Sequence, residues 1–366
     1  MSASYRFWLR LLGALPLLIT RFECDALAQP KLTPVLQLGL TSGQQLFGMP
    51  VHWSRHDAVI LESCGRMHYL RQAEIGSHQI LQQPFLPQSP TDARNQLQQE
   101  LGSSFEILVQ GQYVIAAPMG HAARWRDRFQ ALLAGYTRFF EIRGWPTHQA
   151  DFPMIAIVFP DRNSFVAYCS KESQAAPPNV VGCYYPKSNR CVLYEHEGAR
   201  GTNWAETEAT IVHEAVHQMA YNTGIHERLF ENPLWLVEGL ATVFEQPAVY
   251  DLRTNRSTLE SRMSHRKIEI IQPLLRDPHR LEHQMRSLIE SDQLFKREPE
   301  LAYALSWAML FYLVERMPTE FGELLRSQNE RGFGVYSPGD RIADFRKAVQ
   351  IDTMSMALQM QRLYQK

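Results

Sequence analysis

The hydrophobic pattern changes period along the chain. From residue 31 to about 82, short apolar runs alternate with turns. Segments 35–40, 45–50, 58–61 and 67–70 read as strands punctuated by Gly43, Gly48 and Gly65. This predicts a small β domain over 29–82, an SH3-like barrel or roll. The stretch 82–98 is rich in Gln, Pro and Ser and reads as a linker, placed at 83–98. A hairpin (105–109 and 113–117) follows. Then comes an amphipathic helix from about His121 to Arg143, with Trp125, Phe129, Leu132, Leu133, Tyr136 and Phe140 on one stripe. Segment 153–159 is a continuous apolar strand, Asp161 to Ser164 cap a short helix, and 179–194 forms a second hairpin around the turn 186–189. From about Tyr250 onward the period is helical over 268–275, 281–289, 301–317, 321–328 and 345–364, with no internal repeat. The class expected is α+β.

The middle of the chain carries the chemistry. Asn203 and Glu206 make a cap and third-position pair, Ala205, Ala209, Val212, Val216 and Ala220 form an apolar stripe, and Thr223-Gly224 is a stop signal. A helix over 203–221 places His213 and His217 four residues apart on one face, where both imidazoles reach one metal ion. Glu214 projects beside them, positioned to take a proton from a water without ligating the metal. A second helix is expected from Asn232-Pro233, with Leu234, Val237, Ala241 and Phe244 on its core face and Glu238 among them. A carboxylate in such surroundings needs a partner, because burying a bare charge costs several kcal/mol. Two imidazoles and one carboxylate leave a fourth tetrahedral position open, the arrangement of a catalytic zinc and not of a closed structural one. Glu227, Glu231 and His226 are rival third ligands. The alternative pattern, with Gly three and His six residues past the second ligand, fails, because Ala220 and Thr223 stand there.

The run His213-Glu214-Ala215-Val216-His217 followed by Trp235-Leu236-Val237-Glu238-Gly239-Leu240-Ala241, with a spacer of 20 residues between His217 and Glu238, resembles the gluzincin metallopeptidases. The likeness is to the Trp-Leu-x-Glu-Gly-x-Ala signature of the aminopeptidase N-like enzymes. The stretch 303–313 resembles the helix that follows the site in small secreted bacterial gluzincins of unknown substrate. The resemblance is specific over about 150–325. It implies zinc bound by His213, His217 and Glu238, with Glu214 as general base. It also implies a zincin-like catalytic domain over 99–250, a small mixed sheet backing the zinc-site helices, with a helical C-terminal subdomain over 251–366. Relatives of this kind pair an extended substrate with the edge strand of the sheet, here in or near 180–194. They supply an oxyanion donor from a tyrosine some sixty residues past the third ligand, a range at which Tyr303 falls; His226, Tyr184 and Tyr185 are further candidates. Two departures limit the analogy. No Gly-x-Met-Glu-Asn strand is present to hold a free amino group, and Val237 stands where those enzymes usually carry Asn. The function implied is hydrolysis of peptide bonds in a peptide or protein substrate of undefined sequence. The alternative is a secreted zincin-fold binding or scaffold protein with little or no turnover. Against it stands the survival of ligands and base as a set.

Composition adds constraints. With 13 His in 366 residues, a chance match to so short a motif is expected in roughly a few chains per hundred, so the helical context carries the argument. Residues 1–28 read as a signal peptide: Arg6 and Arg10, an apolar run from Leu11 to Ile19 broken by Pro16, and a cleavage site at Ala26-Leu27-Ala28. Export to the periplasm or beyond, with no stable membrane anchor, is the expectation. Cleavage removes three arginines and two acidic residues, so the formal charge of -1 becomes -2. A chain this near neutrality presents no global field for nucleic acid. Of five cysteines, Cys24 is lost; Cys64, Cys169, Cys183 and Cys191 remain, and a Cys183–Cys191 bridge across the hairpin is expected.

Overall fold

The computed structural model describes residues 34–145, 147–172, 180–195, 204–253, 258–331 and 334–365, with the backbone alone over 204–207. The expected signal peptide and its cleavage site lie outside these residues, as does Asn203. The chain divides into two units after Gln88.

The first unit is an antiparallel sheet of β1 (Pro34–Leu40), β2 (Gln45–Trp53), β3 (Asp57–Leu61), β4 (Met67–Arg71) and β5 (Ile75–Pro84), ordered β4-β3-β2-β1-β5. Alternation along the strands drives Leu36, Leu38, Leu46 and Ile60 into its core. The strand β5 was not expected. Its side chains are almost all exposed or half-exposed, so it carries no apolar alternation to read; backbone pairing along β1 holds it. The expected linker over 83–98 is a second correction, because it contains most of helix α1 (Pro90–Leu101). The Ser89 hydroxyl accepts the Asp92 N–H, Pro90 opens the helix, and Ala93 and Leu97 point inward. A Gln-rich composition masked a one-in-four apolar stripe.

The second unit continues with β6 (Phe105–Gln110), β7 (Tyr113–Pro118), α2 (Ala122–Glu141), β8 (Met154–Phe159), α3 (Arg162–Cys169), β9 (Gly182–Tyr185) and β10 (Arg190–Tyr194). These strands form a mixed sheet, β6-β7-β8-β10-β9, in which β7, β8 and β10 are parallel and β9 is an edge. Because side chains alternate, Ile115, Ala156, Val158, Cys191 and Leu193 face one layer, with α2 and α4 (Trp204–Asn222). Val114, Ile155, Ile157 and Val192 face the other, with α1 and α3. The helices α5 (Leu234–Phe244), α6 (Pro247–Tyr250), α7 (Leu259–Arg262), α8 (His265–Leu275), α9 (Pro278–Glu290), α10 (Gln293–Arg297), α11 (Pro299–Arg316), α12 (Pro318–Asn329), α13 (Pro338–Val349) and α14 (Thr353–Tyr364) complete the α+β unit. A single apolar cluster runs from Tyr113 to Tyr364, so the helical region past residue 250 shares its core with the sheet and α4. The helix expected over 345–364 is two: Gln350 is left-handed (φ 59°), and the Asp352 carboxylate accepts the Ser355 N–H to start α14.

The hairpin corrects the cysteine expectation. Cys183 lies across from Val192 and Cys191 across from Tyr184. The two thiols are therefore one residue out of register and on opposite faces of the sheet, Cys191 toward α4 and Cys183 toward α3. Cys64, Cys169, Cys183 and Cys191 are all free thiols.

Gly239 sets the approach of α5 to α11. A Cβ there would sit 2.8 Å from the Ser306 carbonyl oxygen and 3.2 Å from Leu310 Cβ. A clash with backbone costs about 1–3 kcal/mol, while Ala in place of Gly returns about 1 kcal/mol of helix propensity. Gly239→Ala is therefore expected to lower stability by about 1 kcal/mol net, read as a lowered urea midpoint at constant m-value.

Candidate metal centre

Helix α4 is fixed to the sheet before it presents any chemistry. The fully buried Gln218 amide donates to the Ile155 carbonyl at 2.9 Å and to the Asn189 carbonyl at 3.0 Å. The side chains of Asn222 and Asn189 exchange hydrogen bonds at 2.7 and 2.8 Å. Asn189, at φ 58°, is the left-handed residue that turns β9 into β10. Gln218 thus anchors α4 one residue beyond His217.

Helix α5 is placed by a non-local contact. Asn232, expected as its cap, turns back instead and donates to the Glu227 carbonyl at 2.6 Å. The first N–H of the helix, at Leu234, donates to Asp292 Oδ1 at 3.1 Å, and Asp292 is held by the buried Arg341 guanidinium at 2.9 Å. Every side chain of α5 except Leu234 and Glu238 is buried.

The two helices bring His213, His217 and Glu238 together, with their ligating atoms all within 4.8 Å of one another. Glu238 Oε2 lies 3.1 Å from His213 Nε2 and 3.4 Å from His217 Nε2. A tetrahedron with bonds of about 2.1 Å has edges of about 3.4 Å, so these separations and this donor set fit a zinc ion. As the side chains stand, burial would lower His213, but its bonds to Glu238 and Glu245 outweigh burial and push it up to about 10. Burial would likewise raise Glu238, yet His217 and His213 hold its carboxyl well below the usual range.

Glu245 is a member that sequence reasoning missed. It lies seven residues past Glu238, on the same face of the helix, and its Oε1 is 3.0 Å from His213 Nδ1. A carboxylate there fixes the orientation of the ring, with Nε2 turned toward Glu238. Glu245 Oε2 lies in turn 4.0 Å from Lys267 Nζ on α8.

Glu214 sits apart from the ligand set. Its Oε2 accepts the backbone N–H of Tyr184, on edge strand β9, at 2.7 Å. Gly182 makes room: a Cβ there would come within 2.2 Å of Leu193 Cδ2 and 3.4 Å of Glu214 Cγ. Burial raises Glu214 above the ordinary carboxylate value. Tyr303 on α11 stands against the ligands, its ring 6.3 Å from that of His213 and 5.3 Å from that of Phe295. Burial and the neighbouring Glu238 carboxylate raise its hydroxyl above the ordinary tyrosine range.

The remaining candidates fall elsewhere. The Tyr184 hydroxyl donates to Asn189 Oδ1 at 3.0 Å, and its ring stacks on Tyr221 at 5.7 Å. Tyr185 sits on the far face of the sheet beside Cys169 and Cys183. Glu231 pairs with Arg341 and Glu227 accepts the Leu229 N–H, so neither joins the cluster. His226 is buried beside Tyr221, 5.4 Å between ring centres, and burial pushes it down to about 3.

Residues 207–332 are similar to a protein family described as a protein of unknown function, DUF1570. That span takes in His213, Glu214, His217, Glu238, Glu245 and Tyr303. No curated protein matches the chain.

Proposed function

We propose that the chain is an exported zinc-dependent metallopeptidase of gluzincin type, hydrolysing peptide bonds in a peptide or protein substrate. The observation that carries this reading is the convergence of His213, His217 and Glu238 from two helices, with Glu214 beside them and bonded to the edge strand rather than to the ligands. When bound, a zinc ion at this site supplies Lewis acidity to a water and to a carbonyl. The protein's own groups do the rest. Glu214, raised by burial, accepts the proton of the attacking water and passes it to the departing amine. Tyr303, kept neutral, donates a hydrogen bond where negative charge develops on the carbonyl oxygen. Glu245 holds the His213 ring in orientation. Beyond Tyr184, edge strand β9 offers main-chain groups to an extended peptide, which favours backbone recognition without sequence selectivity.

A zincin-like fold for the second unit is supported by the mixed sheet backing α4 and by the anchorage of α4 through Gln218. An SH3-like roll for the first is supported by the return of β5 to pair with β1 after a short 3-10 turn at Gln72–Glu74. No helix among the described residues is long and apolar enough to cross a membrane. Export rests on residues 1–28.

The test is metal content by mass spectrometry on the purified mature protein, with cleavage of an unbiased peptide library beside it. One zinc per chain with chelator-sensitive cleavage is the expected result. A chain purified and reconstituted with zinc that retains none would overturn the reading.

A further inference from the structure

Lys267 stands where helix electrostatics and solvation both disfavour it. It lies in the first turn of α8, His265-Arg266-Lys267, which holds no acidic residue. The positive end of the helix dipole repels a cation there. Its side chain is also only 18 % exposed, whereas lysine ammonium groups ordinarily stay in water. A residue kept for packing alone would be an uncharged one of the same length, such as methionine. The ammonium is placed by two contacts to other elements. Nζ lies 4.0 Å from Glu245 Oε2, just past the end of α5, and 5.8 Å from the centre of the Tyr303 ring on α11.

These contacts close a circuit around His213. Glu245 Oε1 lies 3.0 Å from His213 Nδ1, so the carboxylate spans imidazole and ammonium with its two oxygens. The Tyr303 ring lies 6.3 Å from the His213 ring and completes the loop. One cation therefore reaches both groups that flank His213. A carboxylate paired with a cation is held in one orientation, and an ammonium is drawn to the negative face of a tyrosine ring.

We propose that Lys267 is a positioning residue of the metal centre, its ammonium holding the Glu245 carboxylate on His213 and the Tyr303 ring beside it. The inference rests on the peptidase reading, to which it adds a residue that acts through Glu245 and Tyr303 alone. Metal affinity and turnover then respond to the same side chain, each through a separate partner.

The test is a pair of double-mutant cycles built on K267M, which keeps the stem and removes the charge, with K267R as the variant that keeps the cation. Zinc affinity is read by chelator competition, and kcat and KM are read on a peptide the parent cleaves. K267M is expected to bind zinc about threefold more weakly and to lower kcat about tenfold at unchanged KM. K267R should restore most of both. The loss of affinity should vanish on an E245Q background, and the loss of kcat on a Y303F background. Tighter zinc binding in K267M would reduce the ammonium to a repelling charge, and losses that persist on both backgrounds would place its action elsewhere. Either result overturns the proposal, as does a K267M that matches the parent. A parent that binds zinc but cleaves nothing defeats the peptidase reading instead, and the affinity cycle with E245Q then decides for Lys267. A parent that binds no zinc ends both readings.

Discussion

Replacing Glu214 by glutamine is expected to lower kcat by about 10³-fold while leaving zinc content and fold intact. The side chain is held by one backbone N–H, from Tyr184 at 2.7 Å, and a glutamine carbonyl oxygen accepts that bond equally well. It does not ligate, so the metal site keeps its donors. What is lost is the capacity to take and return a proton, worth 10² to 10⁴ in rate. Stability is expected to move the other way. Burial raises the Glu214 carboxyl, so the folded protein holds that proton more tightly than the unfolded chain. A raised carboxylate costs stability as pH climbs past its unfolded value, and the neutral amide escapes this cost. Stripped of metal, the variant should therefore melt higher than the parent at neutral pH and no higher at acid pH. Full turnover in Glu214→Gln would remove the proton-transfer role. A variant that lost both zinc and activity would show Glu214 to be part of the binding site itself.

The convergence of His213, His217 and Glu238 was legible because its signals are local. Four-residue spacing on an apolar-striped helix puts His213 beside His217, and Glu238 stands out against the apolar α5. Glu245 obeys the same helical arithmetic, seven residues on, but carries no meaning until the orientation of His213 is known. Other features depend on distant chain. Asp292, which caps α5, lies 58 residues past Leu234, and nothing near Asn232 announces that its side chain turns back to Glu227. The thiols illustrate register. Cys183 and Cys191 flank a turn as bridge partners would, yet a one-residue offset in the pairing sends them to opposite faces. Strand β5 shows the limit of hydrophobic patterning, since a strand held mainly by backbone bonds has no pattern to display. The break between α13 and α14 was readable in principle: Asp352 followed by Ser355 is a cap signal, hidden within an apolar run that continues on both sides.

Stripping the metal is expected to destabilise the second unit, and by more the higher the pH. In the metal-free protein His213 is pushed up to about 10 by Glu238 and Glu245, against an ordinary value of 6.5. A histidine raised in this way contributes stability that is fully present below about pH 6.5 and is lost as pH rises toward 10. Zinc requires the neutral ring, so through that window binding expels one proton from His213. Glu238 sits well below the usual carboxylate range and releases none there. At fixed free zinc, affinity should then climb about tenfold per pH unit, adding about 1.4 kcal/mol per unit to the stability gap between loaded and stripped protein. The measurement is a pair of denaturation curves, with buffered zinc and with chelator, at pH 6.5, 7.5 and 8.5. A gap that stays constant would mean that the imidazole is already neutral when the metal arrives. Glu245→Gln separates the causes. Losing that carboxylate should lower His213, flatten the slope at the upper end of the range and weaken zinc binding about 10-fold or more, because the ring then loses the partner that aims Nε2 at the metal. A Glu245→Gln variant whose slope and affinity both match the parent would show that Glu238 alone sets the charge of His213.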